Sequence, residues 1–415
     1  MNNFDKPNAR TGARTAFAVS TALLLYTVVG YPLLVGALSR LRPRPVRKQE
    51  GELPKVSIII AAYNEEAAIH AKLENTFALD YPADRLEIIV ASDCSSDRTD
   101  EIVCTHPRCD GGTWGSVRLC RLPERGGKTA AQNFAAEQAQ GEILVFSDAT
   151  SDYEPNVLKV IIPNFADSEV GCVSGRMIYV DPSKSGVGSG AQSYWNYEVF
   201  IKSCESQIFS LIGVSGLLYA VRKSVFRALP PESSSDFVIA TDVVSQGYRV
   251  IFEQDAICRE ETNKRVGREL KMRTRIITQT YYDLWWMRSM MNPLRSGFYA
   301  VQLWSHKVFR YAVPLFLLIN SLASWRIAGQ SKFHRALVGL QALICLTAAI
   351  GSLLERTSAR GHRVTQLLAI PRYFLFNNAA PFMALWNVLQ GERYAKWDTA
   401  RESTPESSST KAGDE

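Results

Sequence analysis

Between Arg14 and Arg40 the chain carries no charged side chain. The run is about 25 residues long, more than the roughly 20 that a helix needs to cross a hydrocarbon core. No water solvates the backbone there, so a helix that pairs its own amides is the expected structure. A cleaved leader is the competing reading, but its apolar region is about 7–15 residues and ends at a small-residue cleavage site. Here Arg40-Leu-Arg-Pro-Arg-Pro-Val-Arg-Lys48 follows instead. A membrane anchor over residues 15–39 is therefore expected, after a short segment 1–14 and before a basic linker 40–52.

Lys6, Arg10 and Arg14 precede the span, whereas Arg40, Arg42, Arg44, Arg47 and Lys48 follow it. The positive-inside bias puts the chain after residue 40 in the cytoplasm. The eight cysteines agree with a reducing compartment, because none forms a Cys-x-x-Cys pair. Cys104, His106 and Cys109 cluster, but they are too few to complete a zinc site. A formal charge of +6 with 46% hydrophobic residues fits one medium soluble domain plus a membrane part.

From residue 53 to 262 short β-rich runs alternate with helical stretches, the pattern of an α/β domain with a mostly parallel sheet covered on both faces. Leu86-Glu-Ile-Ile-Val-Ala-Ser-Asp93 and Gly141-Glu-Ile-Leu-Val-Phe-Ser-Asp148 each end on an aspartate, and Val56-Ser-Ile-Ile-Ile-Ala-Ala-Tyr63 runs into Asn64-Glu65-Glu66. Ligands of such sheets bind beyond the carboxyl ends of the strands, so these acids suggest a nucleotide and metal site. Residues 263–302 mix basic side chains with Tyr281, Tyr282, Trp285 and Trp286, which suits amphipathic helices at a membrane interface. Residues 303–391 hold about three further crossings, over 303–325, 336–354 and 373–391. The end, 392–415, is polar and expected to be disordered.

Two motifs are decoys. Gly126-Gly127-Lys128-Thr129 resembles the end of a phosphate loop, but Leu122 stands where the first glycine is required, which excludes a Walker ATPase. Gly186-Val-Gly-Ser-Gly-Ala191 matches a dinucleotide fingerprint in the wrong place, after Pro182 and Ser183, and reads as a glycine loop. No Gly-x-Ser-x-Gly elbow is present, and no histidine lies in the acid-bearing runs, so hydrolase chemistry lacks its nucleophile and base.

What remains is an ordered series: Ala62-Tyr63-Asn64-Glu65, Asp93-Cys-Ser-Ser-Asp97, Gly127-Lys128, Asp148-Ala-Thr150, and Asp236 before Gly247-Tyr-Arg-Val. With this series the chain resembles a membrane-bound family-2 inverting glycosyltransferase, similar to the cellulose, chitin and hyaluronan synthase group. The resemblance implies a Rossmann-like GT-A nucleotide-sugar-binding domain. It also implies transfer of a sugar, with inversion, from a nucleotide-sugar such as a UDP-sugar to a polysaccharide or lipid-linked acceptor. The expected setting is the cytoplasmic face of a bacterial inner membrane. A homo-oligomer or polysaccharide export partners go with that setting; nucleic acid is not an expected partner.

Site roles carry over residue by residue as what the resemblance implies. Glu65 and Asp93 hold the nucleoside, for which carboxylates are apt because they accept base and ribose hydrogens. Asp97 is either a further ligand or a helix cap, since Ser95-Ser96-Asp97 is also good N-cap chemistry. Lys128 meets the diphosphate, and Arg275 does so from an eroded Gln-x-x-Arg-Trp signature, Met272-Arg-Thr-Arg275-Ile276. Trp195 offers an aromatic platform to the acceptor. Asp148 holds Mg2+ or Mn2+, but the usual Asp-x-Asp reads Asp148-Ala-Thr150, one carboxylate short, with Asp152 as a nearby loop acid. Asp236 is the general base; its usual acidic neighbour is Ser235, and Asp242 is its rival, read as a helix-surface acid. The losses at 150 and 235 leave one alternative: a degenerate nucleotide-sugar-binding scaffold or regulatory subunit of a polysaccharide synthase.

Overall fold

The computed structural model describes residues 7–49, 51–180, 186–261, 266–356, 363–394 and 396. The chain enters through α1 (Pro7–Leu25) and α2 (Tyr31–Leu41), joined by one π-helical turn. The α/β domain then runs β1 (Val56–Ala62), α3 (Ile69–Phe77), β2 (Leu86–Ser92), α4 (Thr99–Cys104), β3 (Val117–Arg121), α5 (Lys128–Gln138), β4 (Ile143–Asp148), β5 (Asp152–Tyr153) and α6 (Val157–Ile161). It continues with β6 (Val170–Val180), α7 (Gly186–Ile208), β7 (Leu218–Arg222), α8 (Ser235–Ser245) and β8 (Arg249–Glu261). The rest is helical: α9 (Val266–Trp286), α10 (Pro293–Ser296), α11 (Phe298–Leu303), α12 (Phe309–Ile327), α13 (Lys332–Arg356) and α14 (Arg363–Leu389).

The eight strands form one sheet, ordered β3-β2-β1-β4-β7-β6-β8-β5. The β1–β2, β1–β4, β2–β3 and β6–β8 pairs are parallel, and β7 is antiparallel to both neighbours. Every residue of β1 and β2 is buried, as expected for strands covered on both faces. Side chains alternate between faces. Ile59, Ile89, Leu144 and Phe146 join the core under α5 and α8, whereas Ile58, Ile60, Ile88 and Val90 pack with Ile69, Leu73, Val157 and Ile161 of α3 and α6. Each such side chain contributes about 1.5–3 kcal/mol on burial, enough to pin the register and hence where each strand ends.

Among the described residues three helical stretches are long and apolar enough to cross a membrane: Thr11–Leu41, Phe298–Gln330 and Lys332–Leu354. The first contains the expected anchor. The crossing expected over 373–391 falls in α14, which is not among the three; Pro371, Arg372, Asn377, Asn378 and Pro381 interrupt its apolar run. Helix α14 packs along α9 and α13. Within the spans Asn320 donates to Thr21 Oγ1 at 2.7 Å and to Ser20 Oγ at 3.3 Å, hydrogen bonds that hold α12 against α1 without a hydrophobic driving force.

Two further expectations change. The glycine run at 186–190 is helical, the first turns of α7, because the segment that follows propagates a helix back into it. Asp242, read as a surface acid, has a side chain only 11% exposed and accepts from Gln246 at 2.8 Å; burial raises its carboxyl. Residues 397–415 of the expected polar tail lie outside the described residues.

Candidate active site

The strand ends converge as the sequence requires. After β1, Asn64 adopts a left-handed φ of 52°, a conformation asparagine tolerates better than most residues. Its Oδ1 accepts from Ser96 N at 2.8 Å, and its own amide donates to Ser95 Oγ at 3.1 Å. Glu65 N donates to Thr99 Oγ1 at 2.8 Å. The half-buried Glu65 side chain therefore stands at the mouth between the β1 and β2 loops. Asp97 is occupied differently: Oδ2 accepts from Glu66 N and Oδ1 from Thr99 N, both at 3.0 Å. It pins the two loops together, while the N-cap position of α4 is Arg98, without a side-chain cap.

Asp93 is fully buried beyond β2. Its Oδ1 accepts from Gly126 N at 2.7 Å and Gly127 N at 2.9 Å, so one carboxylate oxygen ties the β2 loop to the turn before α5. Gly127 has φ 95°, a region open to glycine and strained for other residues. The second oxygen, Oδ2, has no hydrogen-bond partner and lies 3.8 Å from Arg125 Nε. The Arg125 guanidinium in turn sits over the Tyr63 ring at 3.8 Å. A free carboxylate oxygen beside a ring and a cation is what a nucleobase needs.

The turn places Lys128 at the start of α5, where Nζ lies 2.5 Å from Asp148 Oδ1 at the end of β4 and 3.3 Å from Gly216 O. Gly216 then reaches the third acid: a Cβ built on it would lie 3.6 Å from Asp236 Oδ2. Asp148, Lys128, Gly216 and Asp236 thus form one continuous line, joining Lys128 to Gly216, 88 residues away, and on to Asp236. Sequence reasoning missed Gly216.

Asp236 is half-buried in the first turn of α8, and Ser234 Oγ donates to its Oδ1 at 2.6 Å. Ser234 N donates in the other direction, to Asp283 Oδ2 on α9 at 3.1 Å. Burial pushes the Asp283 carboxyl up to about 8, with the nearby Asp236 charge adding to the shift. Asp283 was also missed; its one sequence signal is a lone acid inside the aromatic run Tyr281-Tyr-Asp-Leu-Trp-Trp286.

Thr150, in the position of the absent carboxylate, donates to Glu260 Oε1 on β8 at 3.1 Å. An acid is therefore restored near that point in space, from a distant strand. Among the described residues no cluster of three or more His, Cys, Asp or Glu side chains forms a metal cage. Asp148 already takes a cation, the Lys128 ammonium, and one carboxylate fits a divalent ion that arrives on diphosphate oxygens. Behind this loop Lys72 donates to Ser151 O at 2.7 Å, and burial pushes its ammonium down to about 7. Asp152 pairs with Arg259 in the β5–β8 ladder and is exposed.

Arg275 lies half-buried on α9 rather than on the sheet that carries the acids. Trp195 is on α7, but its side chain lies outside the described residues. His106 is used locally: Nε2 lies 3.1 Å from Glu74, Nδ1 accepts from Arg108 N, and the ring stacks on Phe77.

Residues 57–227 match the family model for glycosyl transferase family 2. The chain is 29% identical over 226 residues to a probable glycosyltransferase, YdaM, of Bacillus subtilis, covering 52% of each protein. It is 34% identical over 155 residues to a beta-monoglucosyldiacylglycerol synthase of Trichormus variabilis, covering 37% of this chain and 32% of that one. The chain thus spans about half or less of these relatives' length. A mannosyltransferase from Pyrobaculum calidifontis, solved with GDP-Man and Mn2+, superposes with a TM-score of 0.67 at 23% identity, covering 91% of this chain and 99% of that one. That likeness establishes the fold.

Proposed function

We propose that this chain, whose residues 57–227 form a glycosyl transferase family 2 domain, transfers a sugar with inversion from a UDP-sugar to a glycan or lipid-linked acceptor at the cytoplasmic face of a membrane. The observation that carries the reading is the line Asp148–Lys128–Gly216–Asp236, which sets a diphosphate-binding cation and a half-buried carboxylate on either side of one backbone segment.

In this reading Asp93 Oδ2 accepts the imide N–H of the base, beside Tyr63 and Arg125, and Glu65 accepts from the ribose. Lys128 binds the diphosphate. Asp236 takes the proton of the acceptor hydroxyl as that oxygen attacks the anomeric carbon from the face opposite the diphosphate. One C–O bond forms, the bond to the diphosphate breaks, and the nucleoside diphosphate leaves with the negative charge. Asp148 would hold a divalent ion, with the Thr150 hydroxyl and Glu260 close by, and the ion would supply charge stabilisation at the departing diphosphate. Ser234 orients the base by donating to Oδ1, which leaves Oδ2 for the proton.

Asp236→Asn tests the assignment. The variant is expected to bind nucleoside diphosphate like the parent and to lose about 10²–10⁴-fold in sugar transfer, the range for a general base. Substantial residual transfer would sink it. Nucleoside diphosphate release from a panel of donors, with and without EDTA, separates an enzyme from a nucleotide-sugar-binding scaffold, the reading to which Thr150 and Ser235 lend support.

A further inference from the structure

The catalytic domain meets the spans through a buried polar seam that the transfer chemistry above does not use. Glu198 and Glu205 of α7 face the π-helical turn Trp304–Val308 that leads into α12. Glu205 accepts from the Tyr31 hydroxyl at 2.5 Å and lies 2.8 Å from His306 Nδ1. Glu198 lies 2.5 Å from Arg310 Nη2 and 3.4 Å from His306 Nε2. Burial alone would raise the Glu198 carboxyl, but Arg310 and His306 hold it well below the usual carboxylate range. Both carboxylates are thus already matched by partners on the first and second spans.

Two ammonium groups in the same region are not matched. Lys202 lies between the two glutamates on α7, and Lys307 follows His306. Among the described residues neither has a carboxylate in ion-pair contact, and both are partly exposed. Lys307 Nζ sits 4.4 Å from the centre of the Phe237 ring and 5.5 Å from that of Tyr311, so it borders the residue that follows the base. The charges around them are Glu198, Glu205, Asp236 and, from α9, Asp283. Burial lowers the Lys202 ammonium and the Lys307 charge adds to it, while Glu198, Asp236 and Glu205 offset part of the shift without closing to an ion pair. Such a pair can donate charge-assisted hydrogen bonds to a strong acceptor. The donor's diphosphate has its own cation in Lys128, on the far side of Gly216. Lys307 belongs to the stretch Phe298–Gln330, long and apolar enough to cross a membrane, which favours an anion carried by a molecule anchored in the bilayer.

We propose that Lys202 and Lys307 form an anion subsite for the acceptor, holding the phosphate of a lipid-borne acceptor while its hydroxyl faces Asp236. The proposal rests on the transferase reading through the role of Asp236 as base. The test uses the full chain in detergent, titrated with dioctanoyl phosphatidate, dioctanoylglycerol and inorganic phosphate, alongside Lys202→Gln, Lys307→Gln and Lys307→Arg. Phosphatidate is expected to bind at least about tenfold more tightly than dioctanoylglycerol, and each glutamine variant to lose about tenfold, the scale of one charged hydrogen bond. Lys307→Arg should keep most of the affinity, which separates lost charge from lost packing. Unchanged phosphatidate affinity in both glutamine variants overturns the subsite, and inorganic phosphate binding as tightly as phosphatidate overturns the lipid source. A parallel loss of nucleoside diphosphate binding in the variants assigns the lysines to the donor and also overturns the proposal. Lysine-dependent phosphatidate binding by a wild-type chain that binds no nucleoside diphosphate would instead sink the transferase reading and, with it, the acceptor role, leaving only a lipid-phosphate site.

Discussion

Replacing Lys128 by glutamine should move two affinities in opposite directions. In the structure the Lys128 ammonium lies 2.5 Å from Asp148 Oδ1, and each side chain is 27% exposed. Two unit charges that close attract by roughly 6 kcal/mol at an effective dielectric near 20. Desolvation and salt screening reduce the net value of such a half-open pair to about 1–2 kcal/mol. A divalent ion binding to Asp148 without nucleotide must displace this ammonium, so Lys128→Gln should bind Mn2+ about 5–30-fold more tightly. The same variant loses a charged donor to the diphosphate, worth about 1.5–3 kcal/mol, so nucleoside diphosphate should bind about tenfold or more weakly. Free Mn2+ measured by electron paramagnetic resonance in a titration gives the first number, and calorimetry at saturating Mn2+ gives the second. An Mn2+ affinity that stays the same or falls would show that Lys128 and the ion do not compete for Asp148.

Thr150→Asp places a second carboxylate against Glu260, so the metal-free protein should melt lower than the parent, recover on adding Mn2+ and bind the ion more tightly; a melting temperature indifferent to Mn2+ would put the ion elsewhere. Asp93→Ala strands the buried amides of Gly126 and Gly127 at about 1–3 kcal/mol each, for a drop of about 2–4 °C per kcal/mol in thermal melts. An unchanged melting temperature would mean the amides find other acceptors. Asp283 keeps its proton up to about pH 8 in the folded state, whereas the unfolded chain releases it near 3.9. The folded state binds more protons between those values, so this group's contribution to stability falls as pH rises through that window. Asp283→Asn should remove that part of the slope, and identical pH–stability curves for the two proteins would show that the acid is ionised when folded.

The parts legible in the sequence are those set by local pattern. Val56–Ala62, Leu86–Ser92 and Ile143–Asp148 are largely apolar runs because the sheet buries both of their faces, and the acids at their ends follow from that register. The first span was legible for the same reason: a bilayer excludes charge over a continuous stretch. What escaped depends on approach between distant segments. Asp283 comes to Ser234 from 49 residues away, and Gly216 to Lys128 from 88, so no window along the chain contains either pair. Asp97 was left open between ligand and cap because the amide of Glu66, which takes one of its oxygens, lies on another loop. The 373–391 stretch carries a weaker apolar pattern than the other crossings because Asn377, Asn378 and Pro381 fall inside it, where α14 has α9 and α13 to pack on.

The seam between α7 and the spans has a mechanical consequence. Tyr31, His306 and Arg310 grip α7 by short charged contacts on two membrane segments, so the α/β domain cannot slide or tilt on its anchor without breaking them. In the proposed reaction Asp236 would then stay at a fixed height relative to those segments. An acceptor would be selected by stature: its hydroxyl must stand that far from its own anchor, and each added sugar lifts the next hydroxyl beyond reach by one ring. In the proposed reaction a mount this stiff would favour a single addition over a growing chain, and mass spectrometry of the product with donor in excess would read the count.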